Sequence, residues 1–178
     1  MRQHGSCACR AGTMGGVLLL GPPGSGKSDL LLRLLDRPGW RLVGDDQLLL
    51  RREGAVLTAR AVAPLRGILE VRGLGLLEGL AAEEEAALGL VVECVERDAV
   101  PRLPVPRRWA ALGLMLPLVA IDAHAASAPR LVELALEGAG GTGAGWRAGA
   151  FEPARPGARP ASSDEATAPP DATGRLPA

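Results

Sequence analysis

The chain has 178 residues, with 20 basic and 20 acidic side chains and no net charge. At that length one domain is expected; the balanced charge, with one Phe, three Trp and no Tyr, excludes a basic nucleic-acid surface, an acidic-membrane binder and a base-stacking platform. No apolar run approaches the roughly 18–20 residues of a membrane span, since the best, Leu112–Ile121, is short and contains Pro117.

His4–Arg10 reads as a short strand, Ala11–Gly16 as a glycine-containing turn and Val17–Leu20 as the returning strand, a hairpin that delivers the chain to the loop after it. No long apolar h-region opens the sequence, so no secretory signal is expected. Cys7 and Cys9, two apart on a strand, share a face. With Cys94 they make an odd number without a second ligand pair at metal spacing, so the expectation is unpaired thiols in a reducing, cytoplasmic setting. From the residues alone, His4 reads as a solvated histidine near a terminus.

Gly21-Pro22-Pro23-Gly24-Ser25-Gly26-Lys27-Ser28 follows that strand and opens a helix. This is the phosphate-binding pattern G-x-x-x-x-G-K-S in the setting where it works. The glycines allow a tight turn and close approach of N–H groups to an anion. The helix from Ser28 onward adds the positive end of its dipole. Lys27 is placed to reach the outer phosphates and the Ser28 hydroxyl to hold Mg²⁺. A Gly-Pro loop that only joins a strand to a helix would not need Lys27. It is the one lysine in the chain, and a compact point charge is not replaced by a planar fork at a phosphate.

The helix Asp29–Asp36 stops at Pro38-Gly39. Arg41–Val43 is a brief strand that ends on Gly44-Asp45-Asp46. Two acids there, after a phosphate-loop helix, suit Mg²⁺ or the removal of a proton from an attacking hydroxyl; they also suit an ordinary turn. Gln47–Arg51 and Ala55–Ala59 form a hairpin around Glu53-Gly54. In the extended run from Ile68, Glu70 and Arg72 share one side, with Leu69 and Val71 opposite. The pair reads either as a surface ion pair of little worth or as a second metal ligand and a charge stabiliser.

Ala81–Leu88, with Glu83-Glu84-Glu85, reads as a solvated helical face, and Leu88–Val95 as a strand. Pro101–Arg108 is extended, because its prolines forbid a helix; its arginines face solvent, with Arg102 in reach of a phosphate. Leu114–Ala120 is a last strand. Ser127 caps a helix over Ala128–Glu137, with Pro129 in the first turn, Gly138 past the end and Arg130 and Glu133 on one surface. From Gly138 the composition turns to Gly, Ala and Pro. The expected division is a domain over 1–137 and a disordered tail over 138–178, in which Trp146 and Phe151 are too sparse to make a core.

Together, His4-Gly5, GPPGSGKSD (21–29), RLVGDD (41–46), LEVRGLGLL (69–77) and Arg102-Leu103-Pro104 resemble the C-terminal catalytic domain of HPr kinase/phosphorylase, in the short form of alphaproteobacteria, over about residues 4–137. The resemblance implies an α/β, P-loop kinase-like fold, similar to phosphoenolpyruvate carboxykinase, with a mixed β-sheet flanked by helices. It implies ATP and Mg²⁺ as cofactors and phosphoryl transfer to a serine of HPr, or an HPr-like phosphocarrier, in regulation of a phosphotransferase system. By the same resemblance Lys27 and the loop from Gly21 through Pro22, Pro23, Gly24, Ser25 and Gly26 to Ser28 hold the nucleotide, Ser28 and Glu70 bind Mg²⁺, and Asp46 assists Asp45 through the metal. Asp45 is the base, and His4, Arg72 and Arg102 complete the catalytic set. A homo-oligomer is compatible; nucleic acid and membrane are not expected partners.

Four departures accompany the match. The N-terminal domain of longer members has no counterpart before His4, the hairpin ahead of the loop is about two residues longer, and Asp29 stands for the usual Glu. Leu116–Asp122 occupies the region of the basic segment linked to dephosphorylation, so the phosphorylase half does not carry over. Two other readings share the phosphate loop: a small-metabolite P-loop kinase, which needs an arginine-rich lid, and a non-catalytic nucleotide-sensing module.

Overall fold

The structure, a computed structural model, describes residues 1–10, 15–63, 65–141 and 148–151. Its elements in chain order are β1 (Arg2–His4), β2 (Ser6–Arg10), β3 (Gly15–Leu20), α1 (Lys27–Leu35), β4 (Trp40–Gly44), β5 (Gln47–Glu53), β6 (Val56–Ala61), β7 (Leu69–Val71), β8 (Gly75–Leu77), β9 (Ala86–Cys94), β10 (Arg107–Ala111), β11 (Leu114–Ile121) and α2 (Ala128–Ala139), with one 3-10 turn at Arg97–Ala99. Nine strands form one mixed sheet in the order β1-β5-β6-β9-β3-β2-β4, and β11 with β10 branches from β9. β7 and β8 make a separate hairpin.

β9 is the hub. It pairs antiparallel with β6 at Ala86 and Ala87, and parallel with both β3 and β11 further along. A register shift against β3 between Gly16 and Val17 turns Leu88 to one face, while Leu90, Val92 and Cys94 take the other. This is what an extra residue does to strand alternation.

The two faces carry two cores. One gathers Val17 and Leu19 of β3, Leu30, Leu31 and Leu34 of α1 and Val132 of α2. The other gathers Cys7, Cys9, Leu18, Leu48, Leu50 and Leu57. Both helices pack on the first face, and the β5–β6 hairpin supplies much of the second. The near-continuous apolar run of β3 follows from burial on both sides. Cys7, Cys9 and Cys94 are free and buried, and burial pushes the thiols of Cys9 and Cys94 up to about 11. Among the described residues no helix is long and apolar enough to cross a membrane.

Four expectations change. The single strand His4–Arg10 is two, broken at Gly5: β1 joins β5, while β2 sits between β3 and β4. Residues 81–85 are not helical. Leu42 N–H donates to Ala81 O and Glu83 N–H to Leu42 O, both at 2.8 Å, so the segment attaches to β4 before β9 begins. Glu83 and Glu84 then pair with Arg41 and Arg66; tertiary backbone bonding has overridden helix propensity. α2 runs to Ala139, two residues past Glu137, with Gly140 as its cap. Phe151, expected to lie outside any core, is 9% exposed and belongs to the helix-side cluster. The tail expectation otherwise falls, with Trp146, outside the described residues, as does most of the turn after Arg10.

α2 is locked to the body through Glu133. Its carboxylate accepts from Arg37 Nε and Nη2 at 2.6 and 2.7 Å, from Trp40 Nε1 at 3.3 Å and from Arg130 at 3.2 Å. The Arg37 bonds foremost pull its pKa from 4.5 down to about 2. A carboxyl depressed on folding stabilises the fold fully above its unfolded value of 4.5 and loses that contribution as pH falls toward 2. Glu133→Gln is expected to lower stability by about 2 kcal/mol at pH 7. That is below the roughly 3–5 kcal/mol of a broken, fully buried pair, because Arg37 is partly open to solvent. Denaturant titrations of both proteins should converge as pH approaches 2, and a gap that persists there counts against the ion pair as the cause.

Candidate active site

The C-terminal ends of β3, β4, β9 and β11 lie at one edge of the sheet, and the start of β2, which is antiparallel to β3 and β4, reaches the same edge. Ligands in open α/β sheets bind outside such ends. A cavity of about 510 Å³ opens here, lined by His4, Ser6, Pro23, Gly24, Gly26, Lys27, Ser28, Asp29, Leu32, Asp45, Asp46, Glu70, Val71, Arg72 and His124. Its size suits a small-molecule ligand.

The loop 21–28 leaves β3 and turns into α1 as its motif requires. Gly26, the residue before the helix, has φ 84°, a conformation that costs other residues strain. A Cβ on Gly21 would stand 2.6 Å from Ser25 Oγ and 2.7 Å from Cys94 O, so only glycine lets the loop close over the end of β9. Lys27 Nζ donates to the carbonyls of Gly21 and Pro22, each at 2.9 Å. Every ion pair among the described residues uses arginine or histidine as its cation. Lys27, only 8% exposed, takes part in none of them. Gly21, Pro22 and Ser25 form the back of the loop rather than the cavity wall.

Asp45 comes from the end of β4 and is 7% exposed. The Ser28 hydroxyl donates to its Oδ2 at 3.0 Å, and the buried Ser6 hydroxyl donates to its Oδ1 at 2.5 Å. Asp46, with φ 66°, turns the other way. His4 Nδ1 lies 2.7 Å from its backbone O and 3.1 Å from its Oδ1. The carboxylate beside Ser28 is therefore Asp45, while Asp46, expected with Ser28 and Glu70 as a metal ligand, also lines the cavity and pairs with His4. Glu70 and Arg72 reach the cavity from β7 and its turn, while Leu69 is fully buried beneath. Arg102 is exposed on the connection from β9 to β10 and does not line the cavity.

The donor set of Ser28, Asp45 and Glu70 is hard oxygen, which suits Mg²⁺. No group of three or more His, Cys, Asp or Glu is gathered tightly enough to hold a metal by itself among the described residues. That fits an ion bound through few protein oxygens together with phosphate. Sequence reasoning missed Ser6 and His124. The available signal for His124 was its place after a strand parallel to β3, legible only once the sheet order is known.

A phosphate loop opening α1, faced by acids from β4 and β7 across one cavity, defines a P-loop protein of the kinase-like kind. Comparison with known proteins narrows this. Residues 2–100 match the family described as HPr Serine kinase C-terminal domain, and the chain belongs to that family. It is 43% identical over 94 residues to HPr kinase/phosphorylase of Leptothrix cholodnii, covering 49% of this chain and 29% of that one. To the protein of the same name from Cupriavidus metallidurans it is 38% identical over 120 residues, 62% of this chain and 37% of the other. The chain thus spans about a third of the length of these curated relatives. The solved structure of the Hpr(Ser) kinase/phosphatase from Coxiella burnetii superposes with a TM-score of 0.66 at 27% identity, covering 75% of this chain and 87% of that chain. The mixed α/β, P-loop kinase-like fold is therefore shared.

Proposed function

We propose that this chain is an ATP-dependent, cytoplasmic protein-serine kinase acting on HPr or an HPr-like phosphocarrier, and so regulating a phosphotransferase system. The observation that carries the reading is the convergence of Lys27, Ser28, Asp45, Glu70 and Arg72 from three separate segments on one cavity. In this reading the loop amides and Lys27 hold the outer phosphates of ATP. Ser28 and Glu70 would hold Mg²⁺, which when bound would supply charge neutralisation on the phosphates. Asp45 accepts the proton of the acceptor serine as its Oγ bonds to the γ-phosphorus and the bond from that phosphorus to the bridging oxygen breaks, releasing ADP. Arg72 stabilises charge on the transferred group, and His4 with Asp46 forms the wall where the acceptor enters. The chemistry is mostly positioning and electrostatics. Arg102 would join only if the acceptor or the β9–β10 connection brings it inward, and a homo-oligomer is compatible with the reading.

A phosphorylase activity does not follow from this site. Leu116–Ile121, where a basic segment would be needed, lies within strand β11. Incubating the chain with Mg²⁺, γ-labelled ATP and HPr is expected to place label on serine; absence of label on every HPr-like protein offered would refute the substrate. A small-metabolite kinase is disfavoured because residues 81–85 are bonded to β4 rather than forming a lid. A non-catalytic sensor would not need Asp45 buried against Ser28.

A further inference from the structure

The phosphate loop sits between two flanks. In the sheet order β4-β2-β3-β9-β11, the acid-bearing end of β4 lies on one side of β3, and the turn after β11 on the other. That second turn carries His124. Its position is built: Arg33 of α1 donates to the carbonyls of Ala123 and Ala125, the residues on either side of His124, the latter at 3.0 Å. Arg33 is itself fixed by Asp29 at 2.6 Å, and His124 N–H donates to Asp122 Oδ1 at 2.9 Å. The ring edge is pressed on the loop. A Cβ placed on Gly26 would be 2.9 Å from His124 Cε1 and 3.1 Å from Nε2.

We propose that His124 is a nucleotide-contact residue that donates from Nε2 to the α-phosphate of a bound nucleoside 5′-triphosphate. This rests on the kinase reading above, because the transferred phosphate must face Asp45, Ser28, Glu70 and Arg72. The remainder of the nucleotide then leaves the loop on the opposite flank, where His124 lines the cavity and Asp29, also in its lining, is tied to the same turn through Arg33. A ligand that fills only the outer phosphate positions does not reach His124. The residue therefore distinguishes a nucleotide from inorganic pyrophosphate.

The test is calorimetric titration of the full chain with ATP and, separately, with inorganic pyrophosphate, both with Mg²⁺. A hydrogen bond to a charged group corresponds to about tenfold in affinity. His124→Ala is expected to weaken ATP by about that factor and leave pyrophosphate within about twofold. His124→Gln, which keeps an N–H donor, is expected to recover most of the loss. The ratio of the two affinities is insensitive to a general loosening of the loop, which would weaken both ligands alike. Parallel weakening, or no change in either, overturns the proposal. Binding of neither ligand by the unaltered chain would overturn the kinase reading as well, a result distinct from an ATP site that ignores His124.

Discussion

Asp45→Asn is expected to lower phosphoryl transfer to serine by about 10²–10⁴, the usual contribution of a positioned general base, while ATP still binds. An amide in place of the carboxylate keeps size and much of the hydrogen bonding but cannot take up the acceptor proton. In the structure Asp45 accepts from Ser6 at Oδ1 and from Ser28 chiefly at Oδ2, so its two oxygens have different neighbours. Ser6, fully buried at the start of β2, orients the carboxylate; Ser6→Ala should therefore cost transfer rate far less than Asp45→Asn. The measurement is single-turnover transfer from γ-labelled ATP to HPr, with ATP affinity determined in parallel. Transfer by Asp45→Asn at near the unaltered rate would remove Asp45 as the base. A loss of ATP affinity matching the loss of rate would instead assign Asp45 to holding the metal through Ser28.

The parts of this site that the sequence discloses are those set by local rules. The loop 21–28 needs glycines, one lysine and one hydroxyl at fixed spacing, and its strand and helix follow in the next few residues. Asp45 was legible because it ends a strand two elements later, and Glu70 and Arg72 because alternation puts them on one side. What stayed hidden depends on which strands neighbour one another. Ser6 lies two residues from His4, yet Gly5 breaks the strand between them and sends β1 and β2 to different partners. His124 is 97 residues beyond Lys27 in the chain, and only the parallel placement of β9 and β11 beside β3 brings it to Gly26. Helix propensity misread residues 81–85, where a run of three glutamates is answered by Arg41 and Arg66 and by backbone bonds to Leu42. Phe151 was misjudged for a related reason: one aromatic suffices when an existing core leaves a place for it.

Lys27→Arg is expected to reduce kcat/KM for transfer nearly as much as Lys27→Ala, by about 10²–10³, as for removal of one preorganised donor at a developing charge. Charge alone would predict rescue by arginine, since both side chains are cationic. The structure argues otherwise. The ammonium is held by the loop's own carbonyls, those of Gly21 and Pro22, at 2.9 Å, and lies close enough to Cys94 to oppose in part the rise that burial imposes on its thiol. A guanidinium is planar, carries five donors in a fixed fork and is wider than this seat allows without moving Gly21, which has no space even for a Cβ. Nineteen of the 20 basic residues are arginine, so replacing the last one tests geometry rather than composition. A second readout comes from the same rarity. An amine-reactive reagent can label only Lys27 and the chain's α-amino group, and ATP should protect the former while leaving the latter unchanged. Full activity in Lys27→Arg, or labelling of Lys27 that ATP does not slow, would show that the ammonium does not meet the phosphates.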